Sequence, residues 1–291
     1  MLSTTTPIVI CKERRNMTHS KRRTALAMTT SLKGGTGKSF LASVLLDVLR
    51  HRQVPVAAFD ADGAIGALSA MHAERDDMGH VLDQQDAGTG VVAYNIRDES
   101  RTRLIDSLAC PEPLILHDLA GGSLADLQRL FDDRDGLGNF LRTAERLGIT
   151  LAFLHMITPD RGSVESVAIH LDLSAPYRDS ALDIRHVAIL NRRAAPRDSD
   201  FPVWFGDRDP AGVPFGGRTR ARFLEAGGIE MNLPAVEART AELVKRLQIP
   251  WRQAVRDPRL QLTDQQRVQN FLEQFEAQMP EGLRNLAGLP T

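Results

Sequence analysis

Lys33-Gly34-Gly35-Thr36-Gly37-Lys38-Ser39 is the stretch whose reading decides the fold. Gly34, Gly35 and Gly37 let successive backbone N–H groups turn inward and surround phosphate oxygens. Lys38 can reach the outer phosphates of a nucleotide, and the Ser39 hydroxyl can ligate Mg²⁺. Residues 24–31 (TALAMTTS) read as a strand just before this loop. Residues 39–51 place Phe40, Leu41, Val44, Leu45, Val48 and Leu49 at helical spacing just after it. Strand, loop and helix in that order are the context a phosphate-binding loop needs, because the helix N-terminus adds partial positive charge. A glycine-rich turn that binds nothing does not require that context. The loop departs from the usual pattern at one point. Leu32 stands where a leading glycine is expected, and a second lysine, Lys33, follows it.

Outward from the loop, short apolar runs alternate with helix-like stretches. Strands are expected at 54–59, 91–96, 113–117, 150–157, 185–190 and 229–233. Helices are expected at 98–108, 123–132, 138–147, 235–247 and 263–279. This alternation implies an α/β fold, a mostly parallel sheet with helices on both faces. Residues 198–222, rich in Pro and Gly, read as an irregular insertion or hairpin. Residues 1–23 read as a basic, disordered extension, with initiation at Met1 or Met17, or as a basic arm that touches DNA or an acidic surface, leaving 24–291 as one domain.

Composition narrows the function classes. A net charge of −1 excludes a globally basic nucleic-acid footprint but leaves a local patch open. Cys11 and Cys110 have no zinc spacing and read as free thiols in a reducing compartment. No apolar run is long enough to span a bilayer. A cytoplasmic protein is expected.

Carboxylates follow two of the expected strands. Asp60 and Asp62 lie just past 54–59, at the strand end where open parallel sheets bind ligands. Asp62-Gly63 is also ordinary turn chemistry. Asp118 closes the run Leu114-Ile115-Leu116-His117-Asp118, and His117 is expected to point into the sheet's packing layer.

The loop from Lys33 to Ser39 resembles the deviant Walker A motif of ParA/MinD ATPases. The resemblance implies ATP and Mg²⁺ as ligands, and a homodimer that closes when ATP binds. It implies that Lys33 reaches the partner's phosphates, like an arginine finger supplied in trans. It implies that Asp62 positions the attacking water, that Asp60 lies near the metal shell, and that Asp118 holds Mg²⁺ through water together with Ser39. Gly34, Gly35, Thr36, Gly37, Lys38 and Ser39 are the implied phosphate cradle. Asn191 and Pro234 are the implied base contacts, although Asn191 also reads as a strand-end turn residue. Family members often carry Thr-Pro after the Walker B aspartate, where this chain has Leu119-Ala120-Gly121-Gly122. Loose features, among them Leu233-Pro234-Ala235, resemble the plasmid branch of TraL and StbB ATPases.

That resemblance implies a switch that partitions, stabilises or mobilises DNA or another cargo, with slow hydrolysis stimulated by a partner protein. Arg192, Arg193, Arg218, Arg220 and Arg222 then read as a nonspecific DNA face, or as solvated arginines. The stripe Val268, Phe271, Leu272, Phe275 and Met279 reads as core packing rather than a membrane helix, since Glu273 and Glu276 flank it. A dethiobiotin-synthetase-like ligase is the rival, with no use for a lysine reaching across a dimer. A nitrogenase-iron-protein-like carrier lacks its second downstream cysteine.

Overall fold

The computed structural model describes residues 24–63, 66–127 and 136–289. The extension 1–23, Met17 and the end of the helix expected at 123–132 lie outside these residues. The strands are β1 Ala25–Thr30, β2 Val56–Asp60, β3 Val92–Ala93, β4 Leu114–Asp118, β5 Thr150–Ile157, β6 Ile184–Asn191, a small antiparallel pair β7 Asp207–Arg208 and β8 Pro214–Phe215, and β9 Ile229–Leu233. The helices are α1 Lys38–His51, α2 Ala67–His72, α3 Arg103–Asp106, α4 Leu124–Leu127, α5 Gly136–Leu147 and α6 Arg161–Ser174, then α7 Pro202–Phe205, α8 Arg218–Glu225, α9 Ala238–Leu247, α10 Trp251–Ala254, α11 Leu262–Gln278 and α12 Glu281–Leu286.

Seven strands form one sheet in the order β3-β2-β4-β1-β5-β6-β9, and every pairing is parallel. The expected α/β fold is therefore observed. Successive side chains alternate between faces, as a strand buried on both sides requires. Ala25, Ala27, Ala152, Leu154 and Met156 join α1, α9, α10 and α11 on one face. Leu26, Met28, Leu151 and Phe153 pack with α5 on the other. Farther along that second face, Ala188 and Leu190 meet α6, α7 and α8. The stripe on α11 is core as expected: Val268, Phe271, Leu272, Phe275 and Met279 are all buried. Among the described residues no helix is long and apolar enough to cross a membrane.

β1 lies between β4 and β5, so the chain leaves it for one side of the sheet and later returns on the other. Such a switch point opens a crevice at the strands' C-terminal ends. The phosphate loop begins there.

Several local expectations change. The stretch expected as one helix at 98–108 is broken into a 3₁₀ turn, α3 and a second 3₁₀ turn. The reason is local: the Asp98 carboxylate and the Asn95 carbonyl capture Ser100, which favours a tight turn over a continuous helix. Only Val92–Ala93 of 91–96 joins the sheet, and Tyr94 and Ile96 bond instead to Asp60 and Ala61. The insertion at 198–222 is a 3₁₀ turn, α7, the β7–β8 pair and the start of α8. Cys110 is disulfide-bonded, not a free thiol.

Candidate functional site

The turn from β1 into α1 holds the site. Gly35 and Gly37 have φ of +75° and +103°, a region that L side chains avoid. No positive φ occurs at Leu32, which explains how the leading glycine is dispensable here. Gly121, in the loop after β4, packs on the phosphate loop. A Cβ there would lie 2.9 Å from the Gly34 nitrogen. Next to it, the Gly122 N–H donates to the Ser31 carbonyl at 3.1 Å. The Leu119–Gly122 departure from Thr-Pro thus makes a loop that docks directly on the glycine turn.

A cleft of ≈ 370 Å³ opens above the turn, within the range of small-molecule sites. Gly34, Gly35, Gly37, Lys38, Ser39 and Asp62 line its phosphate end. Lys38 is buried, and burial pushes its pKa down while Asp118 and Asp62 oppose the shift. Its ammonium has one long hydrogen bond, 3.5 Å to the Lys33 carbonyl. A buried cation so thinly satisfied is suited to an incoming anion.

Asp118 and Asp60 lie side by side on β4 and β2. Both are fully buried and neither lines the cleft. Asp118 accepts from the Thr29 hydroxyl at 2.7 Å and from Ser39. Burial, then the neighbouring Asp60 charge, pushes the Asp118 pKa up to about 7. Burial also raises Asp60, whose two oxygens accept from the Asp62 and Ser69 N–H groups at 3.2 and 2.9 Å. Asp60 therefore shapes the loop that carries Asp62. Two crowded, desolvated carboxylates beside a serine hydroxyl fit a divalent cation, which would favour their ionised forms. Ser39 and Asp118 are the residues that would hold it.

Lys33 does not line the cleft of its own chain. Its side chain is 63% exposed and donates to Asp160 at 2.8 Å, the residue that caps α6 through the Gly162 N–H. Asn191 is buried against the loop. Its Nδ2 donates to the Thr36 carbonyl at 2.8 Å, and its Oδ1 accepts from Arg193 and Ala194 N–H groups. It braces the phosphate loop and does not line the cleft, and Pro234, buried just past β9, does not line it either. The far end is lined instead by Phe40, Arg193, Ala241, Glu242, Lys245 and Trp251. The Arg193 guanidinium lies 4.3 Å from the Phe40 ring centroid, and Phe40 meets Trp251 edge-on at 5.1 Å. Phe40 was open to sequence reading, since it follows Ser39 on the first turn of α1. Trp251 had no local signal and reaches the cleft only through the packing of α10 on α1.

The basic residues of the C-terminal third do not form one free face. Arg192 pairs with Asp198 at 2.5 Å, Arg220 grips Glu230 with two bonds of 2.8 Å, and Arg222 pairs with Asp172. Arg218 alone of the five makes neither an ion pair nor a ring contact among the described residues. The packing-layer histidine is as expected: His117 is buried, stacks on Phe59, and bonds to Tyr94 and Ser107.

The family model described as CobQ/CobB/MinD/ParA nucleotide binding domain matches residues 27–277. No curated protein sequence matches the chain. Among solved structures it is similar to the cell division ATPase MinD of Pyrococcus furiosus, at 18% identity and TM-score 0.46 over 87% of this chain and 98% of that one. A ParA family ATPase from Chlorobium tepidum TLS aligns at 16% identity and TM-score 0.48 over 87% and 98%. A putative plasmid partition protein from Borrelia burgdorferi B31, bound to AMPPNP, aligns at 14% and 0.44 over 88% and 99%. Because the sequence model spans most of the chain, this protein belongs to the CobQ/CobB/MinD/ParA nucleotide-binding domain family.

Proposed function

We propose that the chain is an ATP-hydrolysing switch that dimerises with ATP bound and thereby positions a cargo. Partition, stability or conjugative transfer of plasmid DNA are the settings its resemblance implies. One observation carries the reading. Lys33 is exposed, stands beside the phosphate loop and is absent from its own cleft. A lysine serving its own nucleotide would line its own cleft; one on the rim is placed to act across a dimer.

In this reading Gly34, Gly35, Gly37 and Lys38 bind the phosphates, Ser39 and Asp118 hold Mg²⁺, and Asp62 orients the attacking water. When bound, Mg²⁺ would neutralise charge on the outer phosphates. The water oxygen bonds to the terminal phosphorus, the bond to the bridging oxygen breaks, and ADP leaves with that electron pair. The water's proton passes to phosphate or bulk solvent. Lys33 of one subunit meets charge developing at the other subunit's phosphate. The cation therefore arrives only on dimer closure, which couples hydrolysis to assembly.

Specific ATPase activity should rise with protein concentration, and Lys33→Ala should lower it by about 10³-fold while nucleotide still binds. Hydrolysis by Lys33→Ala at the wild-type rate, independent of concentration, would favour the single-subunit ligase reading.

A further inference from the structure

Arg97 lies outside every motif read from the sequence, yet its guanidinium reaches Asp62 and Gly121, two residues that line the cleft. The backbone around it is fixed on both sides. Ile96 is fully buried and its N–H donates to the Ala61 carbonyl at 3.2 Å. Asn95 bridges to Asp62, and its side chain accepts from the Arg97 N–H at 3.0 Å. Asp98 then caps the following 3₁₀ turn. Arg97 therefore rises from a braced turn that is itself stitched to the loop carrying Asp62.

Its three nitrogens reach three different segments. One donates to the Gly121 carbonyl at 2.8 Å. A second stands 3.7 Å from the Asp62 carboxylate, and the third 3.7 Å from Asp126 on α4. Gly121 is the residue that packs on Gly34 of the phosphate loop. One planar group thus spans the loop after β2 and the loop after β4, through Asp62 and Gly121, which both line the cleft. Arginine suits this because its rigid fork places several donors at once.

We propose that Arg97 is a positioning residue for hydrolysis, holding Asp62 and the Gly121 loop in register with the terminal phosphate. The inference rests on the ATPase reading above. Its pairs are half-exposed and add little stability. Their effect is orientation, where a displacement of about 1 Å can cost about 10²-fold in rate.

The test uses the full chain, with steady-state Mg-ATP hydrolysis and binding of a fluorescent ATP analogue measured in parallel. Arg97→Ala should lower kcat about ten- to a hundredfold, with analogue affinity within about threefold and an unchanged melting temperature. Free guanidinium ion should restore part of the rate, and Arg97→Lys should fall between. In an Asp62→Ala background, Arg97→Ala should add less than about twofold, because residues acting as a unit are non-additive. Wild-type kcat in Arg97→Ala overturns the assignment while leaving the ATPase reading intact. Loss of binding with kcat unchanged, or full additivity with Asp62→Ala, overturns it too. A wild-type chain that binds the analogue but does not hydrolyse ATP overturns the ATPase reading and the assignment with it.

Discussion

Two groups of cations stand in this molecule, and they are in opposite electrostatic states. At the end of β1, Lys38 is buried with one long hydrogen bond to a carbonyl. Just past β6 and on α8, Arg192 and Arg220 are paired with acids, Arg193 lies over an aromatic ring, and Arg222 is tied to α6. The second group is denser in sequence, yet most of its charge is already matched. The first is sparse, yet its charge is unmatched and desolvated. An anion gains most where the cation has not been neutralised. The density of basic residues along the chain is therefore a poor guide to where a phosphate goes.

The largest expected effect lies in the first group. Lys38→Ala should weaken ATP binding by at least about a hundredfold, measured by calorimetry. Affinity within threefold of wild type would mean that Lys38 is not the poised cation. The next effect lies in the second group and falls on stability instead of binding. Glu230 accepts from both Arg220 and the buried Trp204 indole. Glu230→Ala leaves those donors unmatched and should cost about 2 kcal/mol in urea unfolding, with ATP affinity unchanged. A loss of ATP affinity there would erase the contrast between the groups.

A smaller effect is expected where the phosphate-loop group is held in reserve. Asp160→Asn keeps the helix cap but removes the charge that holds Lys33. ATP-dependent association, followed by light scattering, should strengthen by about threefold; weaker association would mean that Asp160 serves the dimer directly. The smallest effect belongs to Arg222, an exposed pair. Arg222→Ala should change stability by less than about 0.5 kcal/mol and leave the salt slope of any duplex DNA binding within about 0.3, well below the change of about 0.9 for one lost phosphate contact. A larger drop in slope would make it a phosphate contact after all.

The parts legible in the sequence were those carried by local chemistry. Ala25–Thr30, Leu114–Asp118 and Thr150–Ile157 are buried, largely apolar runs, and they read as strands because their whole length is core. The glycine turn was legible because only glycine suits φ of +75° and +103°. What was not legible depends on tertiary packing. Asn191 stands at the end of β6, and its bond to the Thr36 carbonyl follows only from how β6 lies beside the phosphate loop. Pro234 is buried just past β9 and does not line the cleft. Trp251 joins the cleft from far along the chain, and Arg97 reaches Asp62 only because 94–96 runs beside 60–63. Ion pairs such as Arg222–Asp172 cross between helices, so no spacing rule could have found them.

The central claim is that Lys33 is a cation for a second subunit. It is tested most directly by the solution mass of the wild type and of Asp62→Ala, measured by light scattering with Mg-ADP and with Mg-ATP. The account predicts a monomer with ADP in both, and a doubled mass with ATP that persists in Asp62→Ala because hydrolysis is blocked. A monomer in every condition, with ATP demonstrably bound, would contradict it.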